Sequence, residues 1–183
     1  MELRKKIKFA RQSGMSLIEL MIASLILTVG VLGTAVLIPI AIGTNGKNRQ
    51  QSNSTVIAQM TMEKITSSAA AGSSALTLTD CAGTSNTISV TGTTSGSGAT
   101  VLSSGSIDFS QAQGSTGAPA GYYMSYVSCG TSGRTSTYDV RWNIQTPSNY
   151  VKLVTVSAQL KGSGSNQVLF SLPVTIRSMV GGN

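Results

Sequence analysis

Few residues in this chain could do chemistry, and the most conspicuous is Glu19. It is the single charge in Met15–Ile42, and Leu20–Ile42 is an unbroken uncharged run of 23 residues. A carboxylate costs about 2.5–3.5 kcal/mol at the centre of a membrane and less near its edge. It therefore calls for a cationic partner, or for a position where it snorkels to the interface. Cys81 and Cys129 are the only thiols, and the chain has no His. Without His the Ser and Cys residues have no obvious activating base, and two Cys alone make a poor metal site. Six scattered carboxylates leave little for acid–base work, and no Gly-rich phosphate loop is present. The expectation is a protein that is not an enzyme, with no catalytic residues, no metal and no cofactor.

The elements that carry Glu19 are plain in the charge pattern. Arg4, Lys5, Lys6, Lys8 and Arg11 crowd the first 14 residues against one acid, Glu2. More than half of the net charge of +7 sits there, so the basic balance speaks for topology before nucleic acid. The apolar run that follows is long enough as a helix to cross a ~30 Å hydrocarbon core. Its basic flank keeps the short N-terminal end cytoplasmic and sends the remainder across the membrane. A plain signal anchor is one reading. A secretory signal peptide, cut near Ala41-Ile42-Gly43, is another, but the run exceeds the usual 7–15 residues of such a peptide.

Gly14-Met15-Ser16-Leu17-Ile18-Glu19-Leu20 supplies a third reading. It resembles the type IV prepilin signature: a short basic leader, Gly, a hydrophobic residue, then Glu five residues into the mature chain. The resemblance implies that a prepilin peptidase cuts after Gly14 and methylates the new amine of Met15. It also implies that the apolar helix packs with other pilin subunits, Glu19 pairing with the N-terminal amine of a neighbour. The implied partners are that peptidase, the pilus or secretion assembly machinery and the inner membrane. Two residues depart from the pattern. Met15 stands where most relatives have Phe, and Val36 where many major pilins have Pro, with Pro39 three residues later. Gly30-Val31-Leu32-Gly33 looks more like minor pilins of the PilV type, or pseudopilins, than like major pilins. Gly30, Gly33 and Pro39 weaken this part of the helix, which leaves either a local loss of helix or a mild kink.

The exported remainder reads in three parts. Thr44–Ser54 is polar and marks the outer membrane boundary. Thr55–Ala71 is a second helical stretch, with Ala58, Met62, Ile65 and Ala69 on one face and Val56, Ile57 and Met60 on another; Gly72 is its stop. Residues 66–116 are low in charge, with 23 Ser or Thr and seven Gly. Short β pieces at Thr87–Thr91 and Ser106–Phe109 lie in a connection that could be loosely structured. Strands are expected at 137–146, 150–161 and 167–177, with a turn at Gly162–Asn166 and Pro173 at an edge or bulge. The fold class is α+β: a long N-terminal helix packed on a C-terminal antiparallel sheet, in keeping with the ladle shape that the pilin resemblance implies. The boundaries are 1–14 leader, 15–43 apolar helix, 44–72 amphipathic helix and 73–183 connection and sheet.

On the exported side an even pair of Cys favours one disulfide between Cys81 and Cys129, with two buried free thiols as the alternative. A basic and aromatic surface from Arg134, Arg141, Lys152, Lys161, Arg177, Tyr122, Tyr123, Tyr126 and Tyr150 could bind nucleic acid. Solvated strand charges and core aromatics account for the same residues more simply, so nucleic acid is not an expected partner. The expected function is a structural subunit, a minor pilin or pseudopilin, of a type IV pilus or type II secretion-like filament. It would wait in the inner membrane with its C-terminus exported. A singly anchored binding or adhesion protein and a DNA-uptake pilin are the alternatives.

Overall fold

A computed structural model describes residues 14–130, 135–162 and 172–181. The leader (residues 1–13), Arg134 and most of the expected turn and third strand at 163–171 lie outside them. Two compact units divide the chain, Met1–Asn45 and Gly46–Asn183. One helix, α1 (Leu17–Ala70), contributes to both.

In the first unit α1 runs through Pro39 without interruption, although proline offers no N–H to the carbonyl one turn back. Every large apolar side chain from Met15 to Ile42 is more than half exposed. The polar stretch expected to separate two helices is itself helical.

From Gly46 onward α1 acquires a buried face of Ser54, Ile57, Ala58, Thr61, Met62, Ile65 and Ala69. Ala58, Met62, Ile65 and Ala69 are the stripe seen in the sequence. Ile57 joins them instead of Val56, which stays exposed, because residues one apart lie 100° around the helix and a wide apolar stripe takes in both 57 and 58. Gly72, with φ 74°, ends the helix. Its N–H reaches the Ala69 carbonyl and the Ser73 N–H reaches that of Ser68, a Schellman closure that needs a left-handed residue.

The sheet beneath has β3 (Ser97–Gly98), β5 (Thr135–Ser148), β6 (Val151–Leu160) and β7 (Val174–Gly181) in that order, and β4 (Tyr123–Cys129) also pairs with β5. All pairings are antiparallel. A hairpin of β1 (Ala75–Thr79) and β2 (Ser85–Ser89) stands as a separate two-stranded sheet. Tyr138, Val140, Trp142 and Ile144 of β5, with Val154, Val156 and Ala158 of β6, form one core with Ile57, Ala58, Met62 and Ile65. This is an α+β, pilin-like architecture. Three strand boundaries move from expectation. β5 reaches Ser148 because a register shift after Gln145 accommodates Pro147. β2 begins two residues early and ends at Ser89. β7 starts only after Pro173, continues to Gly181, and pairs on one side only. Ser106–Phe109 is no strand; Ile107 makes a single bridge with Val101.

The polar side of β5 differs most from expectation. Alternation makes Asp139, Arg141 and Asn143 the solvent face of a half-buried strand, yet all three are buried. The Ser/Thr/Gly-rich connection covers them in an ordered path. Arg141 pairs with Asp139 at 2.7 Å and donates through Nη1 to the carbonyls of Asp108 (3.1 Å) and Gln111 (2.8 Å). Its guanidinium lies 4.8 Å from the centre of the Phe109 ring. Gln113 donates to Asp139, and Asn143 to the Ala99 carbonyl. Gly98, at φ 112°, permits this approach, since a Cβ there would collide with the Trp142 carbonyl and the Tyr122 ring. Asp108 has its pKa held below the ordinary value, chiefly by the Ser110 hydroxyl, then by the Ser110 N–H; burial opposes this, while Gln111 and Arg141 reinforce it. A depressed carboxylate contributes stability above its unfolded pKa and loses it as pH falls through the folded one.

Removing one member of a buried, hydrogen-bonded ion pair strands the other. Arg141→Ala should therefore destabilise the second unit by about 3–5 kcal/mol. Trp142, the only tryptophan, is fully buried and serves as the fluorescence reporter for thermal unfolding of the full chain in detergent. An unchanged midpoint would show that the covering segment is not held by this pair.

Candidate functional site

The residues singled out in the sequence fall into two separate places. Gly14 and Met15 immediately precede α1, and Glu19 stands in its first turn. The Ser16 carbonyl accepts the N–H groups of Glu19 (3.0 Å) and Leu20 (3.1 Å), so the helix begins at the apolar run without a lead-in. A carboxylate in the first turn meets the positive end of the helix dipole. Glu19 is exposed and has no ion-pair partner among the described residues.

The other polar groups of the apolar stretch are satisfied locally. Ser24 donates to the Met21 carbonyl (2.9 Å), Thr34 to Val31 (2.9 Å), Thr44 to Ile40 (2.8 Å), and Thr28 to Ser24. Such hydroxyls need nothing from their surroundings. Glu19 is left as the one side chain in the run whose charge an apolar environment must accommodate. Gly14 is not demanded by the local fold either. It has no positive φ, and a Cβ added to it would meet nothing within 4 Å.

The second place lies in the unit that runs from Gly46 to Asn183. Cys81 and Cys129 form the disulfide, with Cα atoms 5.9 Å apart, which settles the sequence alternatives in favour of the bond. Cys81 sits in the β1–β2 turn and Cys129 ends β4. Beside it, Asp80 does work that the sequence reading passed over. One carboxylate oxygen accepts the N–H groups of Ala82 (3.0 Å) and Thr84 (2.8 Å) and closes the hairpin. The other accepts the Val127 N–H of β4 at 3.2 Å. Asp80-Cys81-Ala82-Gly83 has the Asp and Gly of a tight turn, a signal that was available. The Asp139–Arg141 pair was available too, as opposite charges two apart on one strand face.

Four of the five basic residues considered for nucleic acid have partners within the second unit, and Arg134 lies outside the described residues. Arg141 is buried, Arg177 donates to the Gly105 carbonyl, Lys152 to the Ala69 carbonyl at 3.5 Å, and Lys161 to the Ser125 hydroxyl at 3.3 Å. Among the described residues no group of three or more Cys, Asp or Glu could hold a metal ion.

Residues 9–35 match the family model of the prokaryotic N-terminal methylation motif. The match covers Gly14, Met15, Glu19 and most of the apolar run, and is consistent with a type IV pilin-like protein. No curated protein and no solved structure matches the chain. The motif supports processing by prepilin peptidase. Together with an apolar stretch of α1 long enough to cross a membrane, it supports membrane anchoring followed by pilus assembly.

The disulfide closes a separation of 48 residues. The chain-entropy relation makes such a link worth about 4 kcal/mol. Replacing both Cys81 and Cys129 by Ser should lower stability by that order, read from Trp142 fluorescence during denaturant unfolding. A midpoint within error of the parent would mean that Asp80 and the hairpin contacts suffice alone.

Proposed function

We propose that this chain is a non-enzymatic structural subunit, a minor pilin or pseudopilin, of a type IV pilus or a type II secretion-like filament. Prepilin peptidase cuts after Gly14 and methylates the amine of Met15. Before assembly the protein sits in the inner membrane with its second unit exported, and it then enters the filament through α1. The observation that carries this reading is an apolar stretch, exposed throughout, whose only charge stands in its first turn directly behind the methylation motif's glycine.

The physical logic has two parts. An exposed apolar helix gains roughly 25 cal/mol for every Å2 removed from water, and lipid or the helices of other subunits can supply that cover. Lipid offers Glu19 no counter-charge. A neighbouring subunit whose leader has been removed offers a Met15 amine, so charge pairing would select one axial register among many equally greasy ones. Gly14 fits the same logic from outside the fold: since a Cβ there meets nothing among the described residues, its small size serves the approach of a protease to the backbone.

Mass spectrometry of the N-terminus of protein isolated from cells tests processing. A chain beginning at methylated Met15 is expected, and Gly14→Trp should leave the leader in place. A parent chain still carrying its leader would replace the filament reading with a singly anchored exported protein. Glu19→Ala should insert into the membrane at parental levels and lose most of its incorporation into sheared filaments. Incorporation at the parental level would remove the pairing role.

A further inference from the structure

The second unit contains a cavity of about 410 Å3. Arg49, Gln50 and Asn53 of α1 line one side; Ser128, Ser136 and Tyr138 line the other. The local geometry explains the grouping. Residues three and four apart share a helix face, which brings Arg49 and Gln50 to the same side as Asn53. Ser128 pairs directly with Ser136 across β4 and β5, so their side chains share one sheet face, and Tyr138, two residues on, shares it too.

Three observations single this cavity out. Tyr138 is fully buried, and its hydroxyl has no hydrogen-bond partner among the described residues. Buried polar atoms in that state are exceptions that call for a missing partner. Arg49 is exposed and has no ion-pair partner among the described residues. Among the described residues no carboxylate lines the cavity. Its volume lies within the range of small-molecule sites.

We propose that this cavity binds a small ligand bearing one carboxylate and several hydroxyls, that is, an acidic sugar. One guanidinium matches one carboxylate in charge and in its paired donors. The remaining groups discriminate against a simple anion. The amides of Gln50 and Asn53 and the hydroxyls of Ser128, Ser136 and Tyr138 accept as well as donate. An inorganic anion such as hydrogen phosphate supplies one or two donors at most, whereas several sugar hydroxyls both donate and accept. The disulfide holds the cavity's edge, since Cys129 is part of its wall.

The test is titration of the full chain in detergent with D-glucuronate, followed by calorimetry, with glucose, acetate and inorganic phosphate as comparison probes. Saturable glucuronate binding is expected, with each comparison probe at least tenfold weaker. Arg49→Gln should weaken glucuronate at least tenfold, the scale of losing a charge-assisted hydrogen bond. Tyr138→Phe removes only an unpartnered hydroxyl, so it should keep the thermal midpoint while weakening glucuronate severalfold. Three results would overturn the assignment: no saturable glucuronate binding, acetate or phosphate binding equally well, or glucuronate affinity unchanged in Arg49→Gln. None of these readouts depends on leader cleavage or filament incorporation, so failure here leaves the filament reading standing.

Discussion

The constraint on which everything else depends is that the apolar stretch of α1 is left uncovered by its own unit. Every residue from Gly14 to Arg49 is exposed, although the run is among the most hydrophobic in the sequence. A helix satisfies its own backbone in any solvent, and here it satisfies its Ser and Thr hydroxyls too. What remains is apolar surface plus a single carboxylate. Such a surface is indifferent to whether lipid or protein covers it, which is the property needed by a segment that passes from one to the other. The carboxylate is not indifferent, and this is why so much of the functional reading converges on Glu19.

The second unit solves a different problem. Its sequence is poor in charge and rich in Ser, Thr and Gly, a composition that offers limited apolar surface for a core. The fold compensates in three ways. A small, dense core gathers Trp142, Tyr138 and the aliphatic residues of β5 and β6 against α1. The Arg141–Asp139 pair, buried with carbonyl acceptors and an aromatic face, gives the covering connection a specific docking point. The Cys81–Cys129 bond, seconded by Asp80, ties the β1–β2 hairpin to β4. The same ion pair withdraws Arg141 from any basic surface.

Much of the site was legible because its signals are local. Gly14, Met15 and Glu19 stand within six residues, and a basic leader before an apolar run can be read from charge and hydropathy alone. The stripe through Ala58, Met62, Ile65 and Ala69 needs only the helical period, and Gly72 only the geometry of a left-handed cap. The Cys pair was inferable from count and compartment. Strand ends were less legible. Pro147 and Pro173 mark irregularities without saying whether the ladder continues past them, as it does at Pro147, or begins after them, as it does at Pro173.

By itself the sequence determined a basic leader, a helix with one charge at its start, an amphipathic continuation and an antiparallel β-rich end, because each depends on periodicity or composition within a short window. Only the tertiary structure decided that Asp139, Arg141 and Asn143 face a covering segment instead of water, and that Asp80 reaches Val127. It alone brings Tyr138 and the Ser128–Ser136 pair together with Arg49 and Asn53 around one cavity. Those outcomes turn on contacts between residues 26 to 89 positions apart, where local preference carries no information and the burial of one surface by another makes the choice.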